Sequence, residues 1–305
     1  MAFELRADES VRHGLRRLAR KELGSTQERI GGDRPPGEDA IHDARKSVKK
    51  VRAILELIAA DDGHGLDGAK RLLRDVNRML SCLRDADAMI ATLALLQSRH
   101  PDLFSEHGYA RIRRQLLERR QQAVAEASRA TWKELARSLR AVRRAARRWR
   151  PDQRGFGALA PGIRATCRRG RHALTRARRT DAADDFHAWR KEMKVLWYAL
   201  RLIGAGTPAV TRDIRALHNA EHWLGDDHNL AVLCGTLAND PTVCQSPVDV
   251  HRLQCAVDAM QRDLRHKAVR RTHAIFAARP REYEARIERA WRMRRGGHAN
   301  RRPAA

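Results

Sequence analysis

Hydrophobic positions recur at intervals of three and four residues along most of this chain, which is the spacing of one buried face of an α-helix. Near the start, Val11, Leu15 and Leu18 form such a set, and arginines follow another face of the same stretch. No run alternates apolar and polar residues in the manner of a half-buried β-strand. The pattern therefore predicts an all-α fold. Glycine and proline interrupt the pattern at residues 31–37, 61–68, 151–162, 204–208 and 296–303.

The same signals predict where individual helices lie. Asp85 or Asp87, within the sequence LRDAD, is a candidate N-cap for a helix that ends near Leu96. The sequence LGDD at residues 224–227 predicts a similar turn before an apolar run over 230–237. Asp85 and Asp226 are interpreted as helix caps or as internal partners for arginine. The other predicted helices cover about residues 7–23, 41–58, 66–83, 106–148, 163–178, 186–203 and 248–278, with a last helix after residue 279.

One segment of the chain, residues 41–58, occurs a second time as residues 186–203, 145 positions later and without a gap. His42, Arg45, Lys46 and Lys49 correspond to His187, Arg190, Lys191 and Lys194. The next helix repeats at an offset of 141, which aligns Leu83 with Leu224 and Asp85 with Asp226. This repeat predicts two pseudo-symmetric helical bundles of about four helices each. We expect them over residues 1–150 and 156–278, followed by a terminal helix and a flexible basic tail over 279–305.

Each copy of the repeated segment carries a stripe of basic side chains. With about 100° of rotation per residue, the stripe residues fall on one side of the helix and the apolar residues on the other. A single stripe of this kind is typical of a solvated face. Repetition of the same residue types at the same helical phase favours a ligand instead. The stripes comprise His42, Arg45, Lys46, Lys49 and Arg52 in the first copy, and His187, Arg190, Lys191, Lys194 and Arg201 in the second.

The chain of 305 residues has a formal net charge of +25 and a pI near 11.2. Such self-repulsion indicates a polyanionic partner, which by charge alone is nucleic acid, an anionic membrane or polyphosphate. No stretch approaches the 18 consecutive apolar residues typical of a membrane-spanning helix. The five cysteines form no CxxC motif, so we expect reduced thiols in a cytoplasmic protein.

The repeated His-x-x-Arg/Lys helix, the basic helix after it, and the LRDAD and LGDDHNLAVL stretches together resemble the CHAD family of histidine-containing α-helical domains. The resemblance covers about residues 7–278. It implies two bundles whose basic, inward-facing surfaces meet in a groove that binds inorganic polyphosphate, with no cofactor and no catalysis. It also implies attachment to polyphosphate granules. The resemblance implicates, beside the two stripes, Arg16, Arg20, Arg71, Arg74, Arg164, Arg168, Arg212, Arg215 and His218. Helical spacing adds Arg78, on the face of Arg71 and Arg74, and His222, on the face of Arg212, Arg215 and His218.

Two other functions have some basis in the sequence. Nonspecific RNA or DNA binding fits the charge, but aromatic residues are only 5% of the chain, and no nucleic-acid-binding motif is present. A metal-dependent hydrolase would use His218, Glu221 and His222, which fit the H-x-x-E-H pattern. That pattern is not repeated, because the aligned first-half positions are Asn77, Leu80 and Ser81. The run Arg143, Arg144, Arg147, Arg148 and Arg150 is interpreted as a solvated helix end.

Overall fold

A computed structural model describes residues 3–31, 36–58, 66–126, 129–151, 153–240, 243–244 and 246–299. In that part of the chain all regular structure is helical, which confirms the predicted all-α fold. The α-helices are α1 (Val11–Ile30), α2 (Glu38–Ile58), α3 (Asp67–Arg99), α4 (Glu106–Glu126), α5 (Arg129–Ala145), α6 (Ala160–Thr180), α7 (Ala183–Ile203), α8 (Pro208–Ala238), α9 (Pro247–Ala277) and α10 (Pro280–Ala299). Short 3₁₀ turns occupy Pro101–Leu103, Ala146–Arg148 and Gly155–Ala158.

The two predicted turns at LRDAD and LGDD are wrong, because α3 and α8 run through them without interruption. The acidic residues there engage neighbouring helices instead of capping a helix. Asp87 lies 2.6 Å from Arg120 of α4, and buried Asp227 lies 2.7 Å from Arg265 of α9. The side chain of Asp85 lies outside the described residues. A carboxylate inside a helix is tolerated where a cation on another helix meets it.

The segment 106–148, predicted as one helix, comprises α4, α5 and the 3₁₀ turn Ala146–Arg148, with residues 127 and 128 outside the described part. Both helices pack against α3. Ile112 and Leu116 of α4 share an apolar cluster with the second half of α3, whereas α5 meets its first half. The segment therefore returns along α3 in the opposite direction, and α5 reaches α1.

Eight of the helices form two rings in which each helix packs against the next. One ring contains α1, α2, α3 and α5, and the other contains α6, α7, α8 and α9. The rings contact each other through α2 with α6 and α7, and through α3 with α8. Gly162 allows the close approach of α6 to α2, because a Cβ there would lie 2.2 Å from the carbonyl oxygen of Leu57. One apolar core includes Ile54 of α2 and Leu196 of α7. The hydrophobic core is therefore continuous between residues 1–150 and 156–278.

The predicted terminal helix is present as α10, which packs on α6. Tyr283, Ile287 and Trp291 are buried in the main core. Arg294 donates to the carbonyl oxygen of Leu5 at 2.8 Å, so this helix also holds the N-terminal segment. Residues 300–305 of the predicted tail lie outside the described part of the chain. Among the described residues, no helix has the length and apolar character needed to cross a membrane.

Candidate functional site

The contact between α2 and α7 brings the two repeated basic stripes together. Lys49 of α2 is an electrostatic neighbour of Lys194 and Arg190 of α7. Arg45, one turn before Lys49, adds a further positive charge. Burial lowers the pKa of Lys49 to about 7, and these cationic groups act in the same direction. We call this group of residues, together with Glu221 of α8, the basic cluster.

Glu221 is the carboxylate at the centre of the basic cluster. Its Oε2 atom lies 2.8 Å from the Nζ of Lys194 and 3.3 Å from the Nη2 of Arg190. Arg190 Nε also donates to the Glu221 carbonyl oxygen at 2.9 Å. Burial would raise the pKa of the Glu221 carboxyl, but Lys194 and Arg190 outweigh it and the pKa is lowered. The carboxylate is therefore ionised and holds two cations of α7 in place.

One carboxylate does not neutralise the cluster. Burial lowers the pKa of Lys194 despite its ion pair, since Arg190 and Arg45 also repel its charge. The repeat-related position of Glu221 is Leu80, which is fully buried and apolar. At this position the first repeat therefore has an apolar side chain where the second repeat has an anion. The one sequence signal for this asymmetry is a glutamate in the second repeat where the first has a leucine.

His187 is packed at the edge of the basic cluster. Its ring stacks on that of His228 with 3.7 Å between centroids. Burial lowers the pKa of His187 to about 3, and His228 and Lys191 lower it in the same direction. The imidazole is neutral near pH 7, so it offers a hydrogen bond rather than a positive charge. The sequence pattern did not indicate His228 as its stacking partner.

The outer parts of the predicted site are solvated. Arg52 and Arg201 are half-buried, and the Arg201 guanidinium lies 4.8 Å from the centre of the Trp197 ring. Burial lowers the pKa of Arg52, and Arg74 adds to this effect. The ring of His218 stacks on the Trp197 indole, with 4.9 Å between the ring centroids. Among the predicted site residues, His42 is half-buried. The exposed ones are Lys46, Lys191, Arg71, Arg74, Arg78, Arg168, Arg212, Arg215, His218 and His222.

Three predicted site residues have contacts away from the basic cluster. Arg164 is bonded to Glu284 of α10, with Nη2 2.9 Å from Oε1, so it fastens the terminal helix. Arg16 donates from Nε to the Trp149 carbonyl oxygen at 2.8 Å, and Arg20 lines a cavity with it between α1 and α5. The described surroundings of Arg164, Arg16 and Arg20 therefore lie outside the basic cluster.

The H-x-x-E-H pattern does not assemble a metal site in the described part of the chain. Its glutamate is the ion-pair partner of Lys194, and His218 lies on Trp197. Asp227, a nearby carboxylate on the same helix, is held by Arg265. No group of three or more His, Cys, Asp or Glu side chains among the described residues has the proximity that a metal ion requires. The geometry gives the hydrolase alternative no support.

Comparison with known proteins agrees with this architecture. Two solved structures have a similar fold. The CHAD domain from the plant Ricinus communis has a TM-score of 0.54 at 18% identity and covers 94% of this chain and 95% of its own. PptA from Streptomyces chartreusis has a TM-score of 0.57 at 17% identity, covering 93% of this chain and 100% of its own. A comparison with curated protein sequences gives no match.

The family assignment rests on the sequence match together with this fold. Residues 7–238 match the CHAD domain, which is well over half of the chain. The matched range contains both basic stripes and the glutamate between them. The chain belongs to the CHAD domain family.

Proposed function

We propose that this protein binds inorganic polyphosphate at the basic cluster. The observation that supports the proposal is the meeting of Arg45 and Lys49 from α2 with Arg190 and Lys194 from α7 around the Glu221 carboxylate. These cations exceed the charge of Glu221, and burial makes their mutual repulsion costly. A polyanion that enters between the two stripes would relieve that repulsion. Family membership is consistent with this ligand.

The chemistry of the cluster suits a chain of phosphates. Arg45 and Arg190 offer planar forks that can donate two hydrogen bonds to phosphate oxygens, and Lys49 offers a compact charge. Proximity of an anion would restore the proton of Lys49, because a nearby negative charge favours the ammonium form. Binding would release counterions and weaken as salt rises. The proposed function needs no nucleophile or metal ion, so we propose a non-catalytic binding protein.

Nucleic acid binding has less support from the geometry. Two tryptophans, Trp132 and Trp149, are only 7% and 4% exposed and so cannot stack on a base. Trp197 is occupied by His218 and Arg201. Single-stranded nucleic acids are normally held by accessible aromatic side chains in addition to cations.

In the cell, we propose that the protein resides in the cytoplasm at polyphosphate granules, as the family resemblance implies.

Competition at near-physiological salt tests the proposed function. Labelled long-chain polyphosphate bound to the full chain would be displaced by unlabelled polyphosphate, RNA, DNA or heparin. Unlabelled polyphosphate should compete at concentrations at least tenfold lower per charge than the other polyanions. Equal competition per charge would identify a general polyanion binder and overturn the proposal.

The double variant Arg45→Gln with Lys49→Gln locates the binding. It leaves the Glu221 ion pairs of α7 intact and should weaken polyphosphate binding about 100-fold, since two charge-assisted hydrogen bonds are lost. The matched control is Arg137→Gln with Arg144→Gln, two exposed arginines of α5. The control should bind like the wild type, and circular dichroism should show unchanged helix content for both. Equal weakening of both variants would show that binding is diffuse.

A further inference from the structure

A second concentration of positive charge lies between α1, α5 and the following 3₁₀ turn. It is a cavity of about 540 Å³, which we call the α1/α5 cavity. All of its lining side chains are His, Arg or Lys, and no carboxylate is among them. The lining residues are His13, Arg16, Arg17, Arg20, Lys21, Arg143 and Arg147. The sequence pattern assigned only two of these to a binding site and interpreted the α5 arginines as a solvated helix end.

Three of the lining arginines are held in position by neighbouring groups. Arg16 donates to the Trp149 carbonyl oxygen at 2.8 Å, and Arg17 is paired with Glu9 at 2.5 Å. Arg143 donates from Nη1 to the side-chain oxygen of Gln27 at 3.3 Å. These contacts order the guanidinium groups, and among these partners only Glu9 carries a negative charge. The walls of the cavity are therefore preorganised for an anion.

The remaining cations of the cavity are not neutralised within the described part of the chain. Arg20, Lys21 and Arg147 have no ion-pair partner among the residues that the structure describes. Burial lowers the pKa of Arg16, and repulsion from Arg12 and Arg150 adds to it. So many like charges on facing helices are unfavourable unless an anion from solution lies between them.

The α1/α5 cavity is distinct from the basic cluster. Glu22 of α1 accepts hydrogen bonds from Ser47 and Lys50 of α2, so its side of α1 faces α2. Arg20 is two residues earlier, and about 200° of helical rotation places it on the opposite side of α1. The cavity therefore opens away from α2, and a ligand there does not occupy the groove between the stripes of α2 and α7.

We propose that the α1/α5 cavity is a second anion site, specific for a compact compound that carries several phosphate groups. The lining positions on α1, from His13 to Lys21, span about 12 Å along the helix axis, which limits the length of the ligand held by all of them. Guanidinium and ammonium groups from two sides suit phosphate oxygens. The lining offers only His, Arg and Lys side chains, so the ligand is recognised through its phosphates. This site does not depend on the function proposed for the basic cluster.

Inorganic triphosphate is the probe that tests this site. Its binding would be measured by calorimetry at near-physiological salt in the Arg45→Gln, Lys49→Gln background, where the basic cluster is weakened. Triphosphate should still bind, and adding Arg20→Gln with Arg147→Gln should weaken it about tenfold. Adding Arg137→Gln with Arg144→Gln removes the same charge from exposed α5 positions outside the cavity and should leave the affinity unchanged.

The outcomes separate the site from diffuse charge and from the basic cluster. Equal loss of triphosphate affinity in the cavity variant and in its control would overturn the proposal. Loss of triphosphate binding on the Arg45→Gln and Lys49→Gln changes alone would also overturn it. If the double cavity variant melts early, the single exposed change Lys21→Gln should give a smaller but measurable weakening. Measuring the binding of long-chain polyphosphate to the same variant shows whether the site takes a compact ligand or a polymer. Binding of the long chain without triphosphate binding would contradict a compact site.

Discussion

At the scale of single residues, Glu221 decides the electrostatics of the basic cluster. It lies 2.8 Å from Lys194 and 3.3 Å from Arg190, and it is nine-tenths buried. In the protein without ligand, this carboxylate stabilises cations that are taken out of water. A bound polyphosphate must compete with it for the same two side chains. Glu221 therefore stabilises the fold and opposes binding.

Glu221→Gln should separate these two effects. We expect the unliganded variant to be less stable by about 3 kcal/mol, because two half-buried cations lose their counter-charge. Polyphosphate affinity should increase, by about tenfold, since the internal competitor is gone. Denaturant unfolding with and without saturating polyphosphate measures both, and the ligand should restore most of the lost stability. A variant that binds more weakly would show instead that Glu221 positions the cations for the ligand.

Lys49 should make binding depend on pH. Its pKa is about 7 in the folded protein and ordinarily 10.5, so the folded state binds fewer protons than the unfolded state between these values. The contribution of this group to stability therefore rises with pH through that window. Polyphosphate binds the charged form, so near pH 8.5 binding should take up close to one proton, and affinity should fall as pH rises.

Calorimetry in buffers of different ionisation enthalpy measures this proton uptake. The pKa of the Glu221 carboxyl is lowered, so Glu221 stays ionised and contributes nothing to the uptake. Lys49→Arg keeps the positive charge at every accessible pH and should reduce the uptake while preserving binding. Unchanged uptake in that variant would mean that Lys49 is already charged without ligand.

At the scale of helices, the position of α2 against α6 and α7 determines whether the two stripes can meet. The apolar faces of these helices follow from the sequence pattern, and their burial was predictable. The distance between them depends on a small residue, Gly162, where α6 passes the carbonyl oxygen of Leu57. The sequence pattern alone marks residues 151–162 as a place where glycine and proline interrupt the helices, and it gives no sign that one glycine is a packing contact.

Gly162→Ala should therefore destabilise the protein. The added Cβ would lie 2.2 Å from the Leu57 carbonyl oxygen, so α6 must move away from α2. We expect a loss of about 1–3 kcal/mol in the free energy of unfolding, measured by denaturant titration with circular dichroism. Gly235→Ala is the matched control, because it lies inside α8 with nothing within 4 Å of an added Cβ. The control should be neutral or up to about 1 kcal/mol more stable; equal destabilisation would rule out the packing explanation.

The whole molecule distributes its charge of +25 over separate places. One continuous apolar core joins both sequence repeats, so the basic cluster lies where the two rings of helices meet. The α1/α5 cavity lies on the other side of α1. The terminal helix α10 closes the chain by binding α6 and the N-terminal segment through Arg164, Arg294 and its buried aromatic residues. Binding at each basic region should be salt-dependent.

The sequence by itself determined the features that depend on local periodicity. Hydrophobic spacing is a property of neighbouring residues, so it indicated the all-α fold, most helices and the two stripes. The repeat made the stripes more than ordinary solvated faces. It also pointed to Arg45, Lys49, Arg190 and Lys194 as residues that belong together. The resemblance to the CHAD family was visible in the same segments, and the match over residues 7–238 confirms it.

Only the tertiary structure decided how distant side chains pair. The acidic residues of LRDAD and LGDD resembled helix caps, but Asp87 and Asp227 meet arginines of other helices, so α3 and α8 continue. Glu221 fitted a metal-binding pattern and is an ion-pair partner instead. The physical reason is the same in each case. A charged side chain takes the partner that folding brings to it, and contacts between residues far apart in sequence leave no local periodicity from which they can be predicted.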